Sequence, residues 1–230
     1  MRKVALFVEG QTECIFVREL LLRWFEYNAD RIGVVCYSLH GNELNRLSNS
    51  FGSRDSENFY EIVNVGNDER VLGYLIDHSR LMCEKGFTLI MGLRDMYCEK
   101  YRKACKDRSI HEDMNHHFIR AANDVISSSS YSEHISMHFA IMEVEAWMLA
   151  LLYPEDTTNP EVSYFCPADE LTVRFVGEGR SYKKSESDVE SICSRFTKND
   201  YESLINSGKC QSFASFVEVL LPVGGLATKG

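Results

Sequence analysis

The sequence predicts an α/β protein built on a mainly parallel β-sheet. Several short apolar runs show little alternation of polar and apolar residues, as expected for strands that are covered on both faces. Amphipathic helical patterns separate these runs, and the resulting order β-α-β-β-α-β is typical of parallel sheets flanked by helices. The four clearest strands are predicted at residues 3–9, 33–39, 59–65 and 87–93.

Helix signals fill the gaps between these strands. A helix is predicted from about Thr12 or Glu13, with apolar residues recurring at helical spacing through Trp24. A second helix is predicted between Asn67, a residue type that caps helix N-termini, and Gly86, a residue type that ends helices. The polar stretch 40–58 is predicted to be a long surface insertion, because it is rich in Asn, Ser and Gly.

The second half of the chain carries weaker patterns. A helix is predicted at 112–126, a strand at 135–141 and a helix at 142–153, followed by a loop at 154–167. Further helices are predicted near 185–196, 200–206 and 213–220. We therefore expect an α/β domain at 1–153 and a helical C-terminal extension at 154–230 that packs on the same domain.

Composition narrows the functional classes. With 44% hydrophobic and 26% charged residues among 230, the chain is typical of a globular protein, and we expect it in the cytoplasm with no membrane partner. The eight cysteines form no C-x2-C pair, which favours reduced, buried thiols over zinc ligands. A net charge of −9 argues against tight unaided binding of nucleic acid, although a partner or a local basic patch could hold such a substrate.

Two acidic residues mark the ends of predicted strands. Glu9 closes the first apolar run and Asp95 follows the run at 87–93. Ligands bind at the carboxyl ends of the strands in sheets of this kind, so we expect the two carboxylates at one site. Glu13, at the start of the first helix, would join them, and Gly10 would allow a tight turn and leave space above the sheet. Carboxylate oxygens are the ligands that Mg²⁺ prefers. The alternative is that Glu13 complements the helix dipole and Asp95 caps a loop.

The segment VEGQTE at 8–13, followed by a later apolar strand that closes on Asp95, resembles the TOPRIM domain of topoisomerases, primases and OLD-family nucleases. Members carry an E-G-x-x-(D/E) motif and a D-x-D motif that bind magnesium. The resemblance implies metal and catalytic roles for Glu9, Glu13 and Asp95. The second aspartate of the family does not carry over, because position 97 is Tyr97.

The tyrosine itself is similar to a D-x-Y variant in uncharacterised bacterial TOPRIM/OLD-like proteins found beside ATPases in defence loci. These also carry a later H-E-x-E segment, which resembles 142–147 here with Met142 in place of the histidine. The resemblance implies Glu143 as a further metal ligand. Residues two apart in a helix point in different directions, so Glu143 and Glu145 can share a site only if Glu143 precedes the helix or begins it. Otherwise, one of them complements the helix dipole.

A small basic group follows in a Gly- and Ser-rich stretch. Arg180, Lys183 and Lys184 are candidates for binding substrate phosphate, or for stabilising a leaving group as the resemblance implies, against the alternative of a solvated loop. The basic segment 100–108 could likewise guide nucleic acid or form a hydrated surface.

Together these observations lead to the hypothesis of a Mg²⁺-dependent TOPRIM-type nuclease, with Mn²⁺ as the other candidate cation, that hydrolyses phosphodiester bonds in DNA or RNA. The resemblance implies an antiviral-defence effector that works with an ATPase subunit of the ABC/AAA type. The alternatives are a non-catalytic TOPRIM-derived binding or sensor subunit of a defence complex and, with less support, a nucleotidyl transferase.

Overall fold

A six-stranded, mostly parallel sheet forms the centre of the molecule, as the computed structural model of residues 1–41 and 43–222 shows. The strands are β1 (Arg2–Val8), β2 (Ile32–His40), β3 (Glu43–Arg46), β4 (Asn58–Asn64), β5 (Leu89–Asp95) and β6 (Ile135–Ala140). Their spatial order is β3-β2-β4-β1-β5-β6, and every neighbouring pair is parallel except β2 with β3. The predicted α/β fold class is confirmed.

Helices cover both faces of this sheet. The helices of the first part of the chain are α1 (Gln11–Trp24), α2 (Asp68–Glu84), α3 (Glu99–Ala104), α4 (Glu112–Ser127) and α5 (Val144–Leu152). Successive side chains of a strand point to opposite faces, and β1 follows this rule: Val4 and Leu6 join a core with α1 and α5, whereas Ala5 and Phe7 join a core with α2 and α4. Because all four are fully buried, β1 lies sandwiched at the middle of the protein.

The C-terminal helices are α6 (Pro160–Ser163), α7 (Pro167–Gly177), α8 (Glu186–Cys193), α9 (Lys198–Ser207) and α10 (Gln211–Leu220). Helices α7–α10 contribute buried residues to the larger of these two cores, and α6 packs against α5. Buried aromatic side chains from α9 and α10 contact Phe16 of α1 and Trp147 of α5. Residues 223–230 of the predicted extension lie outside the described residues. No helix in the described part is both long enough and apolar enough to cross a bilayer.

Two elements were not predicted from the sequence. One is β3, which lies in the predicted surface insertion 40–58 and pairs with β2, while Phe51 bridges to Val34. Gly33 permits this close approach, since a Cβ there would lie 1.8 Å from the carbonyl oxygen of Ser53. Helix α7 was not predicted, although Pro167 at its first turn is a recognised start signal. By contrast, Asn67 caps α2 as predicted, accepting a hydrogen bond from the backbone N–H of Glu69 at 2.8 Å.

Candidate metal centre

The carboxyl ends of β1, β5 and β6 are adjacent, and each carries acidic residues. Glu9 follows β1 directly, Asp95 ends β5, and Glu143 lies three residues beyond the end of β6, at the N-cap of α5. The backbone N–H of Asp95 donates a hydrogen bond to Glu9 Oε2 at 3.1 Å. The parallel order β1-β5-β6 therefore gathers at one edge of the sheet carboxylates that are far apart in the chain.

Three of these carboxylates form a tight group. Asp95, Glu143 and Glu145 each place one oxygen within 4.8 Å of the others. All three are buried, with 7%, 5% and 0% of their surface exposed. Oxygen ligands of one divalent cation lie ~2.0–2.6 Å from it, and hence within about 5 Å of one another. This buried acidic triad has the spacing needed to hold a metal ion.

The backbone between β6 and α5 explains why the side chains of Glu143 and Glu145 reach the same site. Met142 adopts a left-handed φ of 63°, which is unusual for a residue with a side chain. Glu143 is then extended at the N-cap, and Glu145 lies in the first helical turn. The backbone N–H of Val144, between them, donates to Asp95 Oδ1 at 3.0 Å. Glu143 thus precedes the helix, which is the condition under which a spacing of two residues can serve a single site.

The Glu145 carboxylate gives the clearest indication that this site binds a ligand. Its Oε1 accepts hydrogen bonds from the Tyr182 hydroxyl at 2.7 Å and pairs with Lys184 Nζ at 3.0 Å. Its Oε2 is buried and has no hydrogen-bond partner among the described residues. A buried carboxylate oxygen without a partner costs free energy, and such groups in native proteins call for an explanation. An all-carboxylate donor set with one unsatisfied oxygen fits a hard divalent cation.

The positively charged side chain of Lys184 contacts the triad directly. Its Nζ lies 3.0 Å from Glu143 Oε1 as well as from Glu145, while 42% of the side chain remains exposed. Burial opposes its charge, but the nearby Glu145 and Glu143 outweigh that effect, so its pKa is raised. Like Met142, Lys184 has a left-handed φ, here 54°. Two of the strained residues in this chain therefore adjoin or belong to the acidic site.

Glu9 and Glu13 lie beside the triad and share its electrostatics. Burial, followed by the charges of Glu9 and Glu145, raises the pKa of Glu13 to about 8. Burial also raises the pKa of Glu9 to about 7. The pKa of Asp95 is raised well above its usual range by burial and by the charges of Glu13 and Glu9. With all five carboxylates ionised, the site would have more negative charge than Lys184 can neutralise, and a bound divalent cation would favour that ionised state.

The predicted residues Glu9, Glu13, Asp95 and Glu143 thus lie at one end of the sheet, and their ligand roles remain predictions. For Gly10, the predicted tight turn is wrong, whereas the predicted open space is present. Its φ of −149° and ψ of −168° are extended, so no tight glycine-specific turn is present. Instead, a Cβ at this position would lie 3.0 Å from Glu13 Oε2, which shows that Gly10 provides space for that carboxylate.

The three predicted basic residues separate in the structure. Lys184 contacts the triad directly. The Arg180 guanidinium packs 3.9 Å from the centre of the Phe175 ring and pairs with Glu178, and Lys183 is exposed. Neither Arg180 nor Lys183 makes an ion pair with a triad carboxylate in residues 1–41 and 43–222.

Sequence reasoning ranked Glu145 below Glu143 and missed Tyr182. Glu145 offered a signal in its two-residue spacing from Glu143, but only the backbone conformation shows that both side chains reach the site. The only sequence signal for Tyr182 was that it is an aromatic residue in a polar stretch.

Comparison of the chain with protein-family models, curated proteins and solved structures gave no match.

Proposed function

We propose that this chain is a divalent-metal-dependent nuclease of TOPRIM type that hydrolyses phosphodiester bonds in DNA or RNA. The observation that carries the proposal is the buried triad of Asp95, Glu143 and Glu145, with its unsatisfied oxygen on Glu145. Asp95, Glu143 and Glu145 would hold Mg²⁺, or Mn²⁺ in its place, with Glu9 and Glu13 alongside. When bound, such a cation lowers the pKa of a bound water and stabilises charge on phosphate oxygens.

The residues of the chain have distinct roles in this proposal. Glu9 and Glu13 have pKa values of about 7 and 8 in the metal-free protein, which is the range suited to accepting and returning a proton near neutral pH. Lys184, partly exposed beside the triad, would contact the phosphate and stabilise negative charge as it develops. Tyr182 holds Glu145 in position through its hydroxyl hydrogen bond.

The biological setting is proposed from the resemblance of the VEGQTE and D-x-Y segments. It is an antiviral-defence effector in the cytoplasm, working with an ATPase subunit of the ABC/AAA type. Such a partner would supply basic surface that a chain of net charge −9 lacks.

The second candidate function is a non-catalytic TOPRIM-derived binding or sensor subunit. Tyr97 favours it, because the family to which the chain is similar has a second metal-binding aspartate at this position. A degraded site would retain the fold and the acidic cluster without cleavage.

The test is cleavage of single-stranded and duplex DNA and of tRNA in Mg²⁺, Mn²⁺ or EDTA, with and without an ABC/AAA-type ATPase of the kind proposed as partner. Asp95→Asn and Glu145→Gln keep the shape of the side chains and remove charge, so we expect cleavage to fall by about 100-fold or more. Glu61→Gln is the matched control, because Glu61 is also a buried carboxylate (5% exposed) but lies within β4. Metal-dependent cleavage that both site variants retain in full would overturn the proposal. Nucleic-acid binding without cleavage under any condition would favour the second candidate.

A further inference from the structure

Two aromatic rings lie at the edge of the acidic site. The rings of Tyr97 and Phe165 pack edge to face, with centroids 5.3 Å apart and an interplanar angle of 87°. Both residues are only partly buried. Tyr97 stands at the position where the TOPRIM motif has its second aspartate, so this part of the site presents an aromatic surface in place of a carboxylate.

Both rings are tied to the segments that position Glu143. The backbone N–H of Tyr97 donates to the carbonyl oxygen of Met142, the residue before Glu143, at 2.7 Å. Phe165 precedes Cys166, whose thiol lies 3.6 Å from Glu143 Oε2, and the backbone N–H of Ala168 donates to the same oxygen at 2.9 Å. These contacts fix the segments that carry the two rings relative to the Glu143 carboxylate.

A basic segment adjoins the rings. Residues 100–108 contain five basic residues and one acidic residue in a chain of net charge −9. Arg102 is exposed, and its guanidinium carbon lies 5.5 Å from the centre of the Tyr97 ring. Within the described residues Arg102 forms no ion pair, whereas Lys100 and Lys103 pair with glutamates. A cation without a carboxylate partner beside an aromatic ring is suited to a phosphate that follows a stacked base.

We propose that Tyr97 and Phe165 form a stacking platform for an unpaired nucleotide next to the reacting phosphate, and that Arg102 binds the neighbouring phosphate. The substrate would then be single-stranded or locally unpaired nucleic acid. This inference rests on the proposed nuclease function and specifies its substrate class. In a duplex, each base is stacked between its neighbours, so only an unpaired base can present its face to a protein ring.

The test uses fluorescein-labelled 20-nucleotide DNA and RNA single strands, and hairpin duplexes of the same sequences, bound in EDTA so that no cleavage occurs. We expect single strands to bind more tightly than duplexes. Tyr97→Leu should weaken single-strand binding by about tenfold, Tyr97→Phe should preserve it, and Arg102→Gln should reduce its dependence on salt. Tyr131→Leu is the matched control, because Tyr131 is another partly buried tyrosine, before β6 and outside the site. In a single strand that carries 2-aminopurine at the stacked position, binding should quench the fluorescence of this base. We expect Tyr97→Leu to lose this quenching and the other variants to keep it.

The outcomes separate this inference from the proposed function. Equal affinity for duplex and single strand, with no effect of Tyr97→Leu, overturns the stacking platform even if metal-dependent cleavage is found. Tyr97-dependent binding of single strands, together with no cleavage in the Mg²⁺ and Mn²⁺ assays, supports the platform and overturns the nuclease. Failure to bind either form in EDTA overturns the platform, whereas the nuclease is decided by the cleavage assay in Mg²⁺ and Mn²⁺.

Discussion

Glu9 Oε2 accepts a hydrogen bond from the backbone N–H of Asp95 at 3.1 Å, so the carboxylate at the end of β1 is fastened to the end of β5. Glu9 thus has two roles that substitutions can separate: it contributes negative charge to the site, and it satisfies a backbone donor.

Glu9→Gln should separate these roles. The glutamine oxygen can still accept the hydrogen bond, so we expect metal-free stability at pH 8 equal to or above that of the wild type, with weaker metal binding. Glu9→Ala should lose a further 1–2 kcal/mol, approximately, because the Asp95 N–H loses its partner. Urea unfolding and calorimetric titration with Mn²⁺ measure the two effects. Equal destabilisation by Gln and Ala would show that the hydrogen bond contributes nothing.

The raised pKa values of Glu9 and Glu13 predict that the metal-free protein becomes less stable as pH rises. Between the ordinary value of 4.5 and the folded values of about 7 and 8, the native state keeps protons that the unfolded chain has released. Raising the pH therefore favours unfolding, by about 1.4 kcal/mol per pH unit for each proton retained. The stabilisation is complete below pH 4.5 and lost above about pH 8.

The measurement is urea unfolding in EDTA between pH 6.5 and 8.5. His138, whose pKa burial lowers to about 4, gives the opposite slope, which is largest below pH 6.5 and fades by about pH 7.5 as the unfolded histidine loses its proton. Glu13→Gln should flatten the dependence, and saturating Mg²⁺ should also remove it. Stability in EDTA that is constant or rises with pH would contradict the prediction.

Lys184 should compete with the metal and yet assist the reaction. Its ammonium lies 3.0 Å from both Glu143 and Glu145, so Lys184→Gln removes a positive charge that opposes cation binding. We expect Mn²⁺ to bind about tenfold more tightly to this variant while cleavage at saturating metal falls. Lys184→Arg should keep the wild-type metal affinity.

Lys183→Gln is the control for this pair of effects, because it removes the same charge from the neighbouring, exposed residue. A change in metal affinity as large in Lys183→Gln as in Lys184→Gln would show that net charge, and not the contact with the triad, is responsible.

Gly10→Ala should alter the site without disturbing the fold. The extended backbone of Gly10 is accessible to any residue, but the added Cβ would lie 3.0 Å from Glu13 Oε2 and displace that carboxylate. We expect unchanged secondary structure by circular dichroism and metal binding weakened several-fold. Gly73→Ala is the matched control: it is exposed on α2 with nothing near its Cβ, and should gain about 0.5–1 kcal/mol of stability. Metal affinity equal to the wild type in Gly10→Ala would contradict the predicted displacement of Glu13.

The sequence by itself determined the fold class and the edge of the sheet at which the acidic residues meet. Apolar strands alternate with amphipathic helices, and this pattern is local, so it can be read without knowing contacts. Glu9 and Asp95 follow two such strands, and the parallel arrangement places both at the same edge.

Only the tertiary structure decided which groups complete the site. Lys184 and Tyr182 reach Glu145 from about forty positions along the chain, through packing that no local pattern encodes. Glu145 joins Glu143 because Met142 adopts a left-handed φ, which leaves Glu143 extended just before the helix begins. Side-chain periodicity assumes regular backbone, and so it cannot foresee a site built where a strand ends and a helix starts.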